Sequence, residues 1–207
     1  MNKMIVIIMI LALAFSTCAF AAEIQPATDV NMEENFGDRI LHVGFKMDAV
    51  TEDKLVADVY EPQIYDIVDI EKLAVGDTIR YLGEDVTVES ITDTTVGKEI
   101  NGGFEEGGII LLTAEDTNGF IAYDLDNPVY LMLGCAEFTF ADEVTVHHWI
   151  QNEDGGVNLE EQTTATIPAN EVKDFFAEDN AEVFVPAQVR IHVVDYVIDE
   201  IFIDYIP

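Results

Sequence analysis

Between Leu73 and Ile91 the chain reads LAVGDTIRYLGEDVTVESI. Two short runs, Thr78–Leu82 and Val86–Ile91, alternate apolar and polar residues around Gly83-Glu84-Asp85, and Gly76-Asp77 stands before the first. A period of two puts alternate side chains on opposite faces of a strand, whereas a helix needs about 3.6. Gly and Asp tolerate the backbone angles of tight turns. This stretch therefore predicts a β-hairpin, and it sets the pattern for the rest of the chain.

In Arg39–Met47, Leu41, Val43, Phe45 and Met47 share one face, predicting a half-buried strand. Leu55–Tyr60 reads as a return strand ended at Glu61-Pro62. Gln63–Leu73 is open between an irregular loop and a short helical turn. Asn101-Gly102 is a strong hairpin signal, because both central residues of a type I′ turn need positive φ; it predicts Val96–Ile100 pairing with a strand from Phe104 onward. Ile109–Thr113, Phe120–Tyr123 and Val129–Leu133 follow at similar spacing, which favours antiparallel neighbours in a meander. Glu143–Gln151 alternates again, Gln151–Gln162 reads as an acidic mobile loop, and Val183–Val194 and Val197–Ile206 close the chain as strands. The one predicted helix is Pro168–Ala177, where Val172, Phe175 and Phe176 form one apolar stripe. The fold class is mainly β: a single antiparallel β-barrel or β-sandwich domain built on a meander, with one short helix near 168–177.

The first 21 residues have the form of a secretory signal peptide: Lys3, an apolar run over Met4–Phe15, then the small-x-small Ala19-Phe20-Ala21. Cleavage after Ala21 is expected, giving a bacterial-type secreted or extracytoplasmic chain with an N-terminal tail over 22–36 and one β-rich domain over 37–207. The alternative is a lipid anchor through Cys18. No later stretch is long and apolar enough for a membrane span. Once Cys18 departs with the signal, Cys135 cannot form an intramolecular disulfide, and its apolar neighbours Leu131–Ala136 predict a small buried hydrophobe.

The chain carries 41 acidic and 9 basic residues, a net charge of −32. Such a surface repels phosphate backbones, which argues against nucleic acid as a partner. An apolar content of 49% argues equally against disorder. A cationic protein or a glycan partner, calcium as a cofactor, adaptation to a salty medium and simple solvation of the surface are each compatible with this acidity, and solvation is the plainest of them.

Motifs for catalysis are sparse. Ser90 is the only serine outside the signal and sits in a predicted strand without a Gly-x-Ser-x-Gly elbow. Neither a phosphate-binding glycine loop nor a His-Glu-x-x-His pair is present. The candidate ligand-binding residues are His147 and Trp149, two apart on one strand and able to form an aromatic platform; the alternative, which the usual burial of Trp favours, is a strand buried on both sides with Trp149 in the core. His148 should face the core. The candidate calcium ligands are Asp124 and Asp126 in one acidic turn and Asn152 and Asp154 in another, neither matching the twelve-residue EF-hand loop. These features lean away from an enzyme and toward a secreted, strongly acidic binding module. A calcium-stabilised structural module is one alternative. A carboxylate-dependent hydrolase of an extracellular polymer, drawing on Glu105-Glu106 and Asp154, is the other.

Overall fold

The computed structural model describes residues 22–28, 30–114, 118–124, 127–151, 157–178 and 181–204. It is mainly β, with sixteen strands: β1 (Glu23–Ile24), β2 (Asp38–Lys46), β3 (Lys54–Pro62), β4 (Ile64–Asp66), β5 (Thr78–Tyr81), β6 (Glu84–Thr87), β7 (Ile91–Asp93), β8 (Gly97–Ile100), β9 (Ile109–Ala114), β10 (Gly119–Asp124), β11 (Asn127–Pro128), β12 (Tyr130–Gln151), β13 (Val157–Pro168), β14 (Val183–Phe184), β15 (Val189–Val194) and β16 (Val197–Ile203). Among the described residues two short helices accompany these strands, α1 (Ile67–Lys72) and α2 (Val172–Glu178).

The strand pairings close on themselves. β2 pairs with β3, β3 with β12, β12 with β16, β16 with β15, and β15 returns to β2. Thr139 of β12 faces both Lys54 of β3 and Val197 of β16, which fixes these neighbours on its two opposite edges. Every contact in this ring is antiparallel except β12 with β16, which run parallel. The ring encloses the larger apolar cluster, where Leu41, Val43, Leu55, Val59, Phe138, Val146, Ile191 and Ile201 are at most 1% exposed. Alternation in β2 and β15 supplies these inward residues, as the period-two pattern requires.

The predicted helix forms as a 3-10 turn, Ala169–Glu171, running into α2. Val172 and Phe176 are fully buried, and the Phe176 ring meets Phe45 edge-on at 5.1 Å and Phe184 at 5.0 Å. Pro168 closes β13 in an extended conformation instead of opening the helix.

Residues 63–129 are an excursion from this ring. Pro62, the last residue of β3, pairs with Tyr130, the first of β12, so the chain leaves and returns at adjacent positions. Within the excursion, β11-β10-β9-β8-β7 form the expected meander, with β4 added beside β10. The Thr78–Thr87 hairpin lies in a separate three-stranded sheet, β1-β5-β6, and is fastened by two side chains. Tyr65 Oη donates to the Arg80 carbonyl at 2.7 Å, and Gln63 Oε1 accepts the Leu82 N–H at 3.0 Å. A second apolar cluster, including Tyr65, Ile70, Ile79, Ile100 and Leu111, fills this part.

Several sequence expectations change. The stretch left open at Gln63–Leu73 contains β4 and α1, the helix capped by the Asp66 carboxylate accepting the Val68 N–H at 2.7 Å. The segment expected as an N-terminal tail is anchored: Ile24 is 5% exposed in the second cluster and Phe36 is 2% exposed in the first, against Phe138 and Tyr196. Part of the expected acidic loop is strand β13, because Val157–Pro168 pairs along β12. Phe104–Glu106 is a 3-10 turn, and the strand after Asn101-Gly102 starts only at Ile109. Val183–Val194 breaks around Pro186 into β14 and β15. Cys135 is exposed, not buried: it sits on the outward side of β12, opposite Asp58, and its slight desolvation together with that carboxylate pushes its thiol pKa up.

Candidate functional site

The outer face of the ring carries a continuous row of side chains across four strands. The inward positions of β15 are Val189, Ile191 and Val193, so Arg190 and His192 point outward. In β16, Ile201 and Ile203 are buried, leaving Glu200 and Phe202 on the outer side. The register then aligns His147 with Phe202, Phe202 with Arg190, and Arg190 with His42.

These residues are mutually satisfied. The His147 and Phe202 rings stack at 4.6 Å with only 4° between their planes. The Arg190 guanidinium lies 5.3 Å from the Phe202 centroid, within cation–π range. The same guanidinium holds Asp204 in a two-pronged contact, Nε to Oδ2 at 2.7 Å and Nη2 to Oδ1 at 3.1 Å. His147 Nε2 donates to Glu200 Oε2 at 2.9 Å, and its Nδ1 lies 3.2 Å from the Thr164 hydroxyl. His42 Nδ1 donates to the Pro186 carbonyl at 3.0 Å while its ring lies 4.9 Å from that of Tyr130. Burial drives the His42 pKa below the ordinary histidine value, despite the raising effect of that hydrogen bond.

A second cluster lies one step along the same strands. His192 Nδ1 meets Asp199 Oδ1 at 2.6 Å and its Nε2 meets Asp38 Oδ1 at 2.9 Å. Both nitrogens can donate to carboxylates only in the imidazolium form. The hydrogen bond to Asp199, followed by that to Asp38, therefore holds the His192 pKa above the usual value. The two carboxylates engage opposite sides of the ring, so they do not converge on one point where an ion could sit. Among the described residues, no group of three His, Cys, Asp or Glu side chains has metal-binding geometry.

Of the residues singled out in the sequence, His147 and Trp149 lie on the same face of β12, opposite Thr164 and Gln162 of β13. The stacking partner of His147 is Phe202 on the neighbouring strand. Trp149 stands two residues past the last contact between β12 and β16, and its indole N–H is buried without an acceptor among the described residues. His148 turns to the other side and meets Phe175 of α2 edge-on at 5.3 Å. Asp124 ends β10, paired with Asn127, and adds to the upward shift that burial imposes on the Tyr81 hydroxyl. Asp126, Asn152 and Asp154 lie outside the described residues, as do residues 1–21. Glu105 and Glu106 are exposed on their 3-10 turn.

Sequence reasoning missed Phe202, Arg190, Glu200 and the pair Asp38 and Asp199. Alternation in β15 and β16 separates inward from outward residues, but the parallel register of β12 on β16, which joins His147 to Phe202, leaves no mark in either strand. Asp199 is further hidden by a bulge: His192 pairs with Glu200 and Val193 with Ile198, leaving Asp199 as the extra residue.

No protein-family model, curated protein or solved structure matches this chain. Among the described residues, no helix is long and apolar enough to cross a membrane.

Proposed function

We propose that this chain is a secreted, strongly acidic, non-catalytic binding module whose partner is a cationic protein. The supporting observation is how its few positive charges are spent. Lys54 is held by Glu137, Arg80 by Asp85, Lys98 by Asp93 and Arg190 by Asp204, so four of the eight basic side chains that remain once Lys3 leaves with the leader are already neutralised within the fold. With 41 carboxylates against eight cations, most of the negative charge has no internal partner. A field of one sign steers and holds a partner of the opposite sign. The row from His147 to Arg190 serves this surface as a brace: its cation–π, stacking and carboxylate contacts tie together three strands of the ring, β12, β16 and β15. The leader-like sequence of the first 21 residues supports an extracytoplasmic location for this surface.

The test is thermal unfolding of the exported protein with poly-lysine, poly-glutamate or calcium chloride added at matched ionic strength. A rise in Tm with poly-lysine alone supports the reading. A rise with calcium alone transfers the acidity to a calcium-stabilised structural role, and no rise with poly-lysine overturns the binding-module reading.

A further inference from the structure

We infer that the α-amine created by cleavage after Ala21 is a structural group of the mature protein, seated on the carboxylate of Asp77. This rests on the secretory part of the reading above and not on its choice of partner.

The backbone nitrogen of Ala22 lies 2.8 Å from Asp77 Oδ1. Two contacts fix its position, and a third fixes that of its acceptor. The Ala22 carbonyl accepts the Thr78 N–H at 2.8 Å. The next two residues form β1 in parallel register with β5, Glu23 with Thr78 and Ile24 with Ile79, both isoleucines being at most 5% exposed. The carboxylate itself is held by its other oxygen, which accepts the Ala74 N–H at 2.8 Å, within a turn closed by Asp77 N–H to Ala74 O at 3.0 Å. Donor and acceptor are thus placed by separate elements and meet at hydrogen-bond distance.

In the precursor, Ala22 N is a neutral amide. Hydrolysis of the Ala21–Ala22 bond by the exporting cell's signal peptidase consumes one water. The hydroxyl goes to the Ala21 carbonyl, which becomes a carboxylate, and the nitrogen leaves as an amine that is protonated at neutral pH. The same contact then joins an ammonium to a carboxylate, a charge-assisted bond. A cleavage one residue earlier or later would move the charge by one strand position and away from Asp77. The position of cleavage, chosen at the level of Ala19-Phe20-Ala21, is matched by an acceptor more than fifty residues away in the sequence.

The full 207-residue chain, expressed in an exporting bacterium, gives the test. Intact mass and N-terminal sequencing of the exported product should show a chain beginning at Ala22. NMR titration of its α-amine should give a pKa above the ordinary value of about 8, returning to about 8 in Asp77→Asn and unchanged in Glu52→Gln. Because Asp77→Asn also touches the Ala74 contact, the unmutated product is decisive by itself. An amine titrating at about 8 or below overturns the inference. So does a mature chain beginning anywhere else, including an acylated Cys18. Poly-lysine binding is measured on the same product and does not involve this amine, so either reading can fail while the other stands.

Discussion

His192 and Asp199 meet at 2.6 Å because a one-residue bulge in β16 re-aims the carboxylate toward β15. Without the extra residue, strand alternation would set Asp199 on the face opposite its neighbour Glu200. With Asp38 on the other ring nitrogen, His192 clips β2, β15 and β16 together.

This clip makes stability pH-dependent with a definite sign. His192 holds its proton more tightly in the folded state than in the unfolded chain. Its contribution is complete below the unfolded value of about 6.5 and is lost as pH rises through the raised folded value. His42 acts in the opposite sense: burial lowers its folded pKa, so its contribution is complete above about 6.5 and declines as pH falls toward that lower value. Two-dimensional NMR of the histidine ring protons should place His192 above and His42 below the ordinary value. Asp199→Asn should lower the His192 midpoint and leave that of His42 in place.

Phe176 is fully buried between Phe45 and Phe184, where α2 packs on the ring. Phe176→Ala removes this packing and leaves a cavity, which should cost about 3–5 kcal/mol. Urea unfolding of the variant should show a lower midpoint with little change of slope.

Tyr65 and Gln63 fasten the Thr78–Thr87 hairpin to β4 through backbone groups. Tyr65→Phe leaves the Arg80 carbonyl without this donor in a site where Tyr65 is wholly buried, and should cost about 1–3 kcal/mol. Amide hydrogen exchange should rise in β5 and β6 before it rises in the ring strands.

Gly97 has ordinary backbone angles, so its requirement is steric. A Cβ added there would overlap the carbonyl oxygen of Leu111 on the paired strand β9. Gly97→Ala forces the two backbones apart and should destabilise by about 1–3 kcal/mol, read from thermal unfolding. At Asn101 the constraint is conformational instead, with φ at 54° and a side-chain oxygen accepting the N–H groups of Glu89 and Ser90.

Strand identity was legible where alternation is strict, as in Leu41, Val43 and Phe45 or Val189, Ile191 and Val193, because one face is buried and the other is not. The Val172 and Phe176 stripe likewise announced its helix. What stayed hidden depends on pairing between distant strands. Nothing local tells β12 to run parallel to β16, nor Pro62 to pair with Tyr130 and set residues 63–129 apart from the ring. The site followed the same rule: His147 was visible as a binding candidate sharing a strand face with Trp149, whereas its stack on Phe202 and its bond to Glu200 come from register. Cys135 misleads because an apolar neighbourhood in sequence is not one in space. Its strand neighbour Phe138 is buried, but Cys135 faces outward.

The claim that an unpaired acidic surface recognises a cationic protein is tested most directly by the salt dependence of poly-lysine binding to the exported protein. Isothermal titration from about 20 to 500 mM sodium chloride spans the range in which the screening length falls below about 10 Å. The account predicts tight binding at low salt, weakening steadily as salt rises, with no binding of poly-glutamate. An affinity for poly-lysine that is absent at low salt, or that does not change with salt, would contradict it.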